Sequence, residues 1–293
     1  MKKILVATDF STHADRALEH ALALARLFES TVELFTSAYI PPQALAAMAT
    51  GMSPTWIQEA RDQAHEQLET LAAKLRSQGV RVSCSASTDE PSSAICARAD
   101  EIRADLIAIG TRGHTGIAHV VFGSIAERVA RLAHSSVLTA HDDSPKPGGY
   151  RRVLVPTDFS PDADLALAWA RVIVEKTGGK LIVQHSYDMP ALMTGGAALA
   201  RASIQKSLET SAHERLEALR ATLSGCDVET SVSHGRPDAA ILEAAESAKA
   251  DLIVMGTRGR TGLAHIVMGS TAERVLRRSH VPVVTLKTRP DAS

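Results

Sequence analysis

The chain has 293 residues with a net charge of −1, a hydrophobic fraction of 45% and an aromatic fraction of 3%. That length suits two domains of about 145 residues, and the absence of a basic surplus argues against a nucleic-acid partner. No apolar run reaches the eighteen residues a membrane helix needs, and the three cysteines, Cys84, Cys96 and Cys226, have neither metal-ligand nor redox spacing, so a cytoplasmic setting with no membrane partner is expected.

In chain order, the first half alternates short β runs with amphipathic helices. Strands are expected near 3–7, 31–37, 80–86, 105–109 and 136–140, and helices near 12–28, 56–77, 92–101 and 124–133. In the first helix Ala14, Leu18, Ala21, Leu22 and Ala25 recur at three- and four-residue spacing, which predicts one buried stripe. The stretch from His141 to Gly149 is polar and rich in Pro and Gly, and reads as a linker. Strands then recur near 152–156, 180–186, 226–232, 251–255 and 282–286.

The second half restates the first. Ile4-Leu5-Val6-Ala7-Thr8-Asp9-Phe10-Ser11 returns as Val153-Leu154-Val155-Pro156-Thr157-Asp158-Phe159-Ser160. The segment 105–140 returns as 251–286 with 22 of 36 positions identical. A repeat of this length is a domain duplication: domains at 1–141 and 151–288, joined by a linker at 142–150. Strand-helix alternation implies an α/β fold with a parallel sheet in each copy and ligands beyond the carboxyl ends of its strands.

At that edge each copy has glycines at one spacing: Gly110, Gly113 and Gly123-Ser124, then Gly256, Gly259 and Gly269-Ser270-Thr271. Glycines at a strand exit permit positive φ and close approach of backbone N–H groups to an anion, and the helix that follows adds its own N–H groups. The competing reading is structural. Ser124 and Ser270, each followed three residues later by glutamate, fit a capping box, and the glycines could simply turn the chain. Asp9 and Asp158 divide the same way, between ligand contact and a turn before a helix. Arg112 and Arg258 could fork onto phosphate or stay solvated. The histidines lack zinc-site spacing, so no metal ligand set is expected.

These motifs resemble the universal stress protein family, whose ATP-binding members carry G-x2-G-x9-G-[ST] after the fourth strand and an aspartate at the end of the first. The resemblance implies tandem five-stranded parallel sheets in the order 3-2-1-4-5. It places Gly110, Gly113, Gly123, Ser124, Gly256, Gly259, Gly269, Ser270 and Thr271 at phosphates and ribose. It also puts Asp9 and Asp158 beside the adenosine, and the backbone of Ser37 and Ser186 at the adenine. ATP is the implied cofactor, with Mg2+ permitted. The implied assembly is an internal pseudo-dimer through the last strands, with a further homodimer permitted and a protein partner unspecified. In the first copy Ile125 stands where the second has Thr271, Ala7 where it has Pro156, and His114 where it has Arg260.

The last glycine is not followed by the lysine of a Walker loop, and no nucleophile triad order is present. The expectation is an ATP-binding stress-response or regulatory protein with no assigned catalytic residue and at most slow hydrolysis. A nucleotide-processing enzyme or a chaperone-like interaction protein stabilised by nucleotide are the alternatives. The segments Pro41 to Pro54 and Met189 to Ala202 read either as flaps over the crevice or as plain loops.

Overall fold

The computed structural model describes residues 1–41, 56–111, 122–188, 198–259 and 268–287. The expected flap residues 42–54 and 189–197 lie outside these. Backbone contacts divide the chain into two compact units, 1–146 and 147–287.

The first unit runs β1 (Lys3–Ala7), α1 (Thr12–Phe28), β2 (Thr31–Ser37), α2 (Trp56–Ser77), β3 (Val82–Ser87), α3 (Pro91–Glu101), β4 (Leu106–Gly110), α4 (Ser124–Leu132) and β5 (Ser136–Ala140). All four strand pairings are parallel, and the order across the sheet is β3-β2-β1-β4-β5. The second unit repeats the scheme with β6 (Arg152–Pro156), α5 (Pro161–Thr177), β7 (Lys180–Tyr187), α6 (Ala198–Thr222), β8 (Asp227–His234), α7 (Pro237–Ser247), β9 (Leu252–Gly256), α8 (Ser270–Arg278) and β10 (Val283–Leu286). Its order, β8-β7-β6-β9-β10, is the same permutation. Each chain reversal therefore falls between the first and fourth strands, where a crevice opens at their carboxyl ends.

The central strands are buried on both faces. Ile4, Leu5 and Val6 have no exposed surface, nor do Val153, Leu154 and Val155 in the second unit. Buried strands of this kind carry unbroken apolar runs rather than alternating ones. The expected stripe of α1 is wholly buried, joined by Ala17 and Leu24. Each such leucine stabilises the fold by about 1.5–3 kcal/mol relative to exposure. The alanines let the helix lie close to the sheet. Gly110 records how close: a Cβ there would sit 2.7 Å from the His13 carbonyl oxygen, at the start of α1.

Several element ends differ from the sequence expectation by one or two residues, and two places show a physical reason. α3 begins at Pro91, because Pro fits the first helical position and the Glu90 carboxylate caps it by accepting from the Ser93 N–H at 3.0 Å. Burial raises the Glu90 pKa, but hydrogen bonds from Ser92 and Ser93 outweigh it and bring the carboxyl to about 2. The stretch after β5 is not free of the first unit. His20 Nε2 on α1 lies 3.0 Å from the Pro145 carbonyl, and Arg16 reaches the Asp142 carbonyl at 3.4 Å.

Candidate functional site

Each first strand ends in the same tight turn. Thr8 Oγ1 accepts the Phe10 N–H at 3.0 Å, and Asp9 Oδ1 accepts both the Ser11 N–H (3.1 Å) and the Ser11 hydroxyl (2.6 Å). Thr157 and Asp158 repeat the backbone bonds, to Phe159 and Ser160, at 3.0 Å each. These bonds hold Phe10 and Phe159 at φ 63° and 60°, the left-handed region that non-glycine residues seldom occupy. Ser11 and Ser160 then cap α1 and α5 by accepting from Ala14 N and Ala163 N at 3.3 Å. The turn role foreseen for the two aspartates is thus real. It engages one carboxylate oxygen of each and leaves both residues on the crevice wall.

The fourth-strand exits are built differently from the sequence reading. Gly123 (φ −71°, ψ 144°) and Gly269 (φ −74°, ψ 151°) are themselves the N-caps of α4 and α8, and neither helix has a side-chain cap bond. Ser124 and Ser270 are the first helical residues, so the capping box does not form. The S-x-x-E pattern misleads by one position, because glycine occupies the cap and offers no side-chain oxygen. Both loops are clipped at the base, Gly123 N–H to the Thr111 carbonyl (2.6 Å) and Gly269 N–H to the Thr257 carbonyl (2.7 Å). Neither capping glycine has positive φ, and Gly110, Gly256 and Gly259 do not either. Close approach of a helix is what requires glycine at Gly110 and Gly256, while at Gly259 the neighbour is only a side-chain oxygen. A Cβ on Gly256 would meet the Asp162 Cβ at 2.7 Å, and one on Gly259 would meet Asp158 Oδ2 at 2.8 Å.

These elements enclose one cleft per unit. The first, about 730 Å³ and open to solvent, is lined by Asp9, Ser37, Gly110, Gly123 and Ser124 among the expected residues. The second, about 1100 Å³, is lined by Asp158, Ser186, Gly256, Gly259, Gly269, Ser270 and Thr271. Gly113, Arg112, His114 and Arg260 lie outside the described residues. The clefts also contain residues the sequence reading did not single out: Thr111 and Thr257 at the loop bases, Pro91 and Ile95 or Pro237 and Ile241 on the facing helix. Repetition of T-R-G in both copies was the available signal for the threonines. The Thr111 hydroxyl is buried without a hydrogen-bond partner among the described residues.

Two matches to one family model cover residues 1–141 and 149–287, and its description is the universal stress protein family. The chain belongs to the universal stress protein family. A universal stress protein of Mycobacterium tuberculosis is 30% identical over 188 residues, which is 63% of this chain and 62% of that relative's length. One from Mycolicibacterium smegmatis is 23% identical over 303 residues, 98% of this chain and 97% of its own. The crystal structure of a universal stress protein from Archaeoglobus fulgidus superposes with a TM-score of 0.68 at 27% identity, over 97% of this chain and 98% of that one.

The two universal stress protein domains are not chemically equal. Arg258 was expected either on phosphate or in solvent. It instead forks onto Asp162 at the start of α5, with Nε 3.1 Å from Oδ2 and Nη2 3.4 Å from Oδ1. The first domain has His13 in place of Asp162, with Nδ1 3.3 Å from an Asp142 carboxylate oxygen. In the second cleft His185 Nδ1 lies 2.7 Å from the Thr157 carbonyl, its ring 4.8 Å from that of Phe159. The Arg215 guanidinium stacks 3.8 Å over the same phenylalanine. The first cleft has Thr36 in the place of His185.

Proposed function

We propose that this universal stress protein is a regulatory, stress-response protein that binds ATP in both clefts, with at most slow hydrolysis. The observation that carries the reading is the pair of glycine-capped helices. Their first turns line the clefts, and neither capping glycine supplies a side-chain cap bond, so the positive end of the helix dipole favours an anion there. The residues fit a nucleotide in other ways. The clefts combine apolar and polar lining at the strand ends, and the buried Thr111 hydroxyl has no hydrogen-bond partner among the described residues.

In this reading the backbone at Gly123-Ser124 and Gly269-Ser270-Thr271 takes the phosphates, with Gly110, Gly113, Gly256 and Gly259 giving the loop its close approach. Asp9 and Asp158 orient the sugar, while Ser37 and Ser186 edge the base. Any Mg2+ would arrive with the nucleotide. Pairing of the two domains through their last strands, a homodimer, a protein partner and a cytoplasmic setting belong to the same proposal.

The test is mass spectrometry of nucleotide released from the purified protein, paired with melting in millimolar ATP. A ligand held only by the native state adds about 2.7 kcal/mol at a hundred times its dissociation constant. Adenine nucleotide in the released fraction and a raised melting temperature are the expected results. An unmoved melting temperature with no bound nucleotide overturns the reading.

A further inference from the structure

The geometry points to Gln184 as a polar base-recognition group present only in the second cleft, with Ser231 as its neighbour across the sheet behind the lining. The inference rests on the nucleotide reading above and adds a specificity determinant to it.

Gln184 lies on β7, is 1% exposed and lines the second cleft. Among the described residues its Nε2 is buried without a hydrogen-bond partner, and so is the hydroxyl of Ser231. The β7–β8 register puts Gln184 directly opposite Ser231. Facing residues of parallel neighbours project to the same side of the sheet, so the two groups form one polar patch. A buried donor left unmade is destabilising, and a fold carries one when something else completes it.

The first domain shows the completed, apolar version of the same place. Phe35 stands where Gln184 does, opposite Ser85 in the β2–β3 register. The Ser85 hydroxyl donates to Glu33 Oε1 at 2.7 Å, and Glu33 is further held by Arg98. The second domain has Ile182 in the place of Glu33, so Ser231 loses that acceptor while Phe35 becomes an amide. Both changes turn a satisfied, apolar wall into one with an unmet donor. The first cleft has Phe35, Pro91 and Ile95 on its wall and carries no side-chain amide at the Gln184 position. The second can donate from the Gln184 amide to an acceptor on the base edge, a ring nitrogen or a carbonyl oxygen.

The experiment uses the full chain carrying Gly123→Asp, which silences the first cleft, with ATP as the probe. Calorimetry is run with and without Gln184→Met, which keeps the size and removes the donor, and melting is recorded without nucleotide. The expected result is a three- to tenfold loss of ATP affinity with an unchanged or higher nucleotide-free melting temperature, because the deleted Nε2 donor had no partner among the described residues. Gln184→Glu, which replaces the donor by an acceptor, should lose more. Unchanged ATP affinity in both variants overturns the inference. So does a loss matched by lower nucleotide-free stability, which marks a structural role. If the Gly123→Asp chain and the unsubstituted chain both fail to bind ATP, the nucleotide reading itself has failed and this inference goes with it.

Discussion

His20 has no exposed surface, and its Nε2 lies against the Pro145 carbonyl, so the ring is stored neutral inside the first domain. Burial drives its pKa down to about 4 from 6.5. The Pro145 carbonyl and Glu19 oppose the shift, and Arg16 adds to it. A depressed folded-state pKa means that the unfolded chain binds the extra proton first. The stabilisation is therefore complete above about pH 6.5, declines as pH falls, and is gone below about pH 4. Between pH 7.5 and 4.5 the expected loss is on the order of 2–3 kcal/mol. Carboxylates titrate over part of the same range, so the measurement is the difference between the unsubstituted protein and His20→Gln in urea unfolding at both pH values. Equal pH slopes for the two proteins would show that His20 does not carry this dependence. Trp169 occupies the matching position of α5, so the second domain lacks the device.

Among the elements, the joint between the first helix and the fourth strand decides what the loop glycines are for. A Cβ at Gly256 would strike Asp162 at 2.7–2.9 Å, and one at Gly110 would strike the His13 backbone at 2.7–2.8 Å. Helix α5 or α1 would have to move, so Gly256→Ala and Gly110→Ala should each cost about 1–3 kcal/mol. Gly269→Ala meets only the Thr257 carbonyl, at 3.2 Å, and keeps an ordinary φ. Its cost should stay under about 1 kcal/mol. Denaturant midpoints with constant slopes test the ranking, and equal losses at Gly256 and Gly269 would contradict it. The same joint shows what the sequence could reveal. Apolar runs and the α1 stripe located the strands and helices to within a few residues, because burial writes its period into the chain. The glycine spacing marked loops whose described glycines line the clefts. That Gly110 and Gly256 answer to a neighbouring helix depends on which backbone approaches which, and no local pattern carries that. The serine of S-x-x-E fits N-cap and N1 equally well until the helix start is known. Gln184 and Ser231 escaped notice because their register, and the loss of an acceptor at Ile182, appear only when β7 and β8 are laid side by side.

Taken over the whole chain, duplication has kept one device twice while letting its surroundings diverge. Both units have their own buried sheet, and α4 and α8 start with the same glycine cap in nearly the same conformation. If those helix ends receive the polyphosphate, each chain takes two nucleotides and the sites can be removed singly. Gly123→Asp and Gly269→Asp are the substitutions that do this without attacking the fold. φ near −70° and ψ near 150° suit any residue and aspartate is a preferred cap, so the cost is set by the Cβ, which at Gly269 meets the Thr257 carbonyl at 3.2 Å, and stays under about 1 kcal/mol. The new carboxylate accepts from the N–H groups that would hold phosphate and sets a negative charge in the anion's place. Calorimetry should give two ATP per chain for the unsubstituted protein, one for each single variant and none for the double variant, with unchanged circular dichroism throughout. Two ATP retained by a folded Gly269→Asp chain would show that the polyphosphate rests elsewhere in the cleft. A single substitution that removes both would show that the two sites act as one unit.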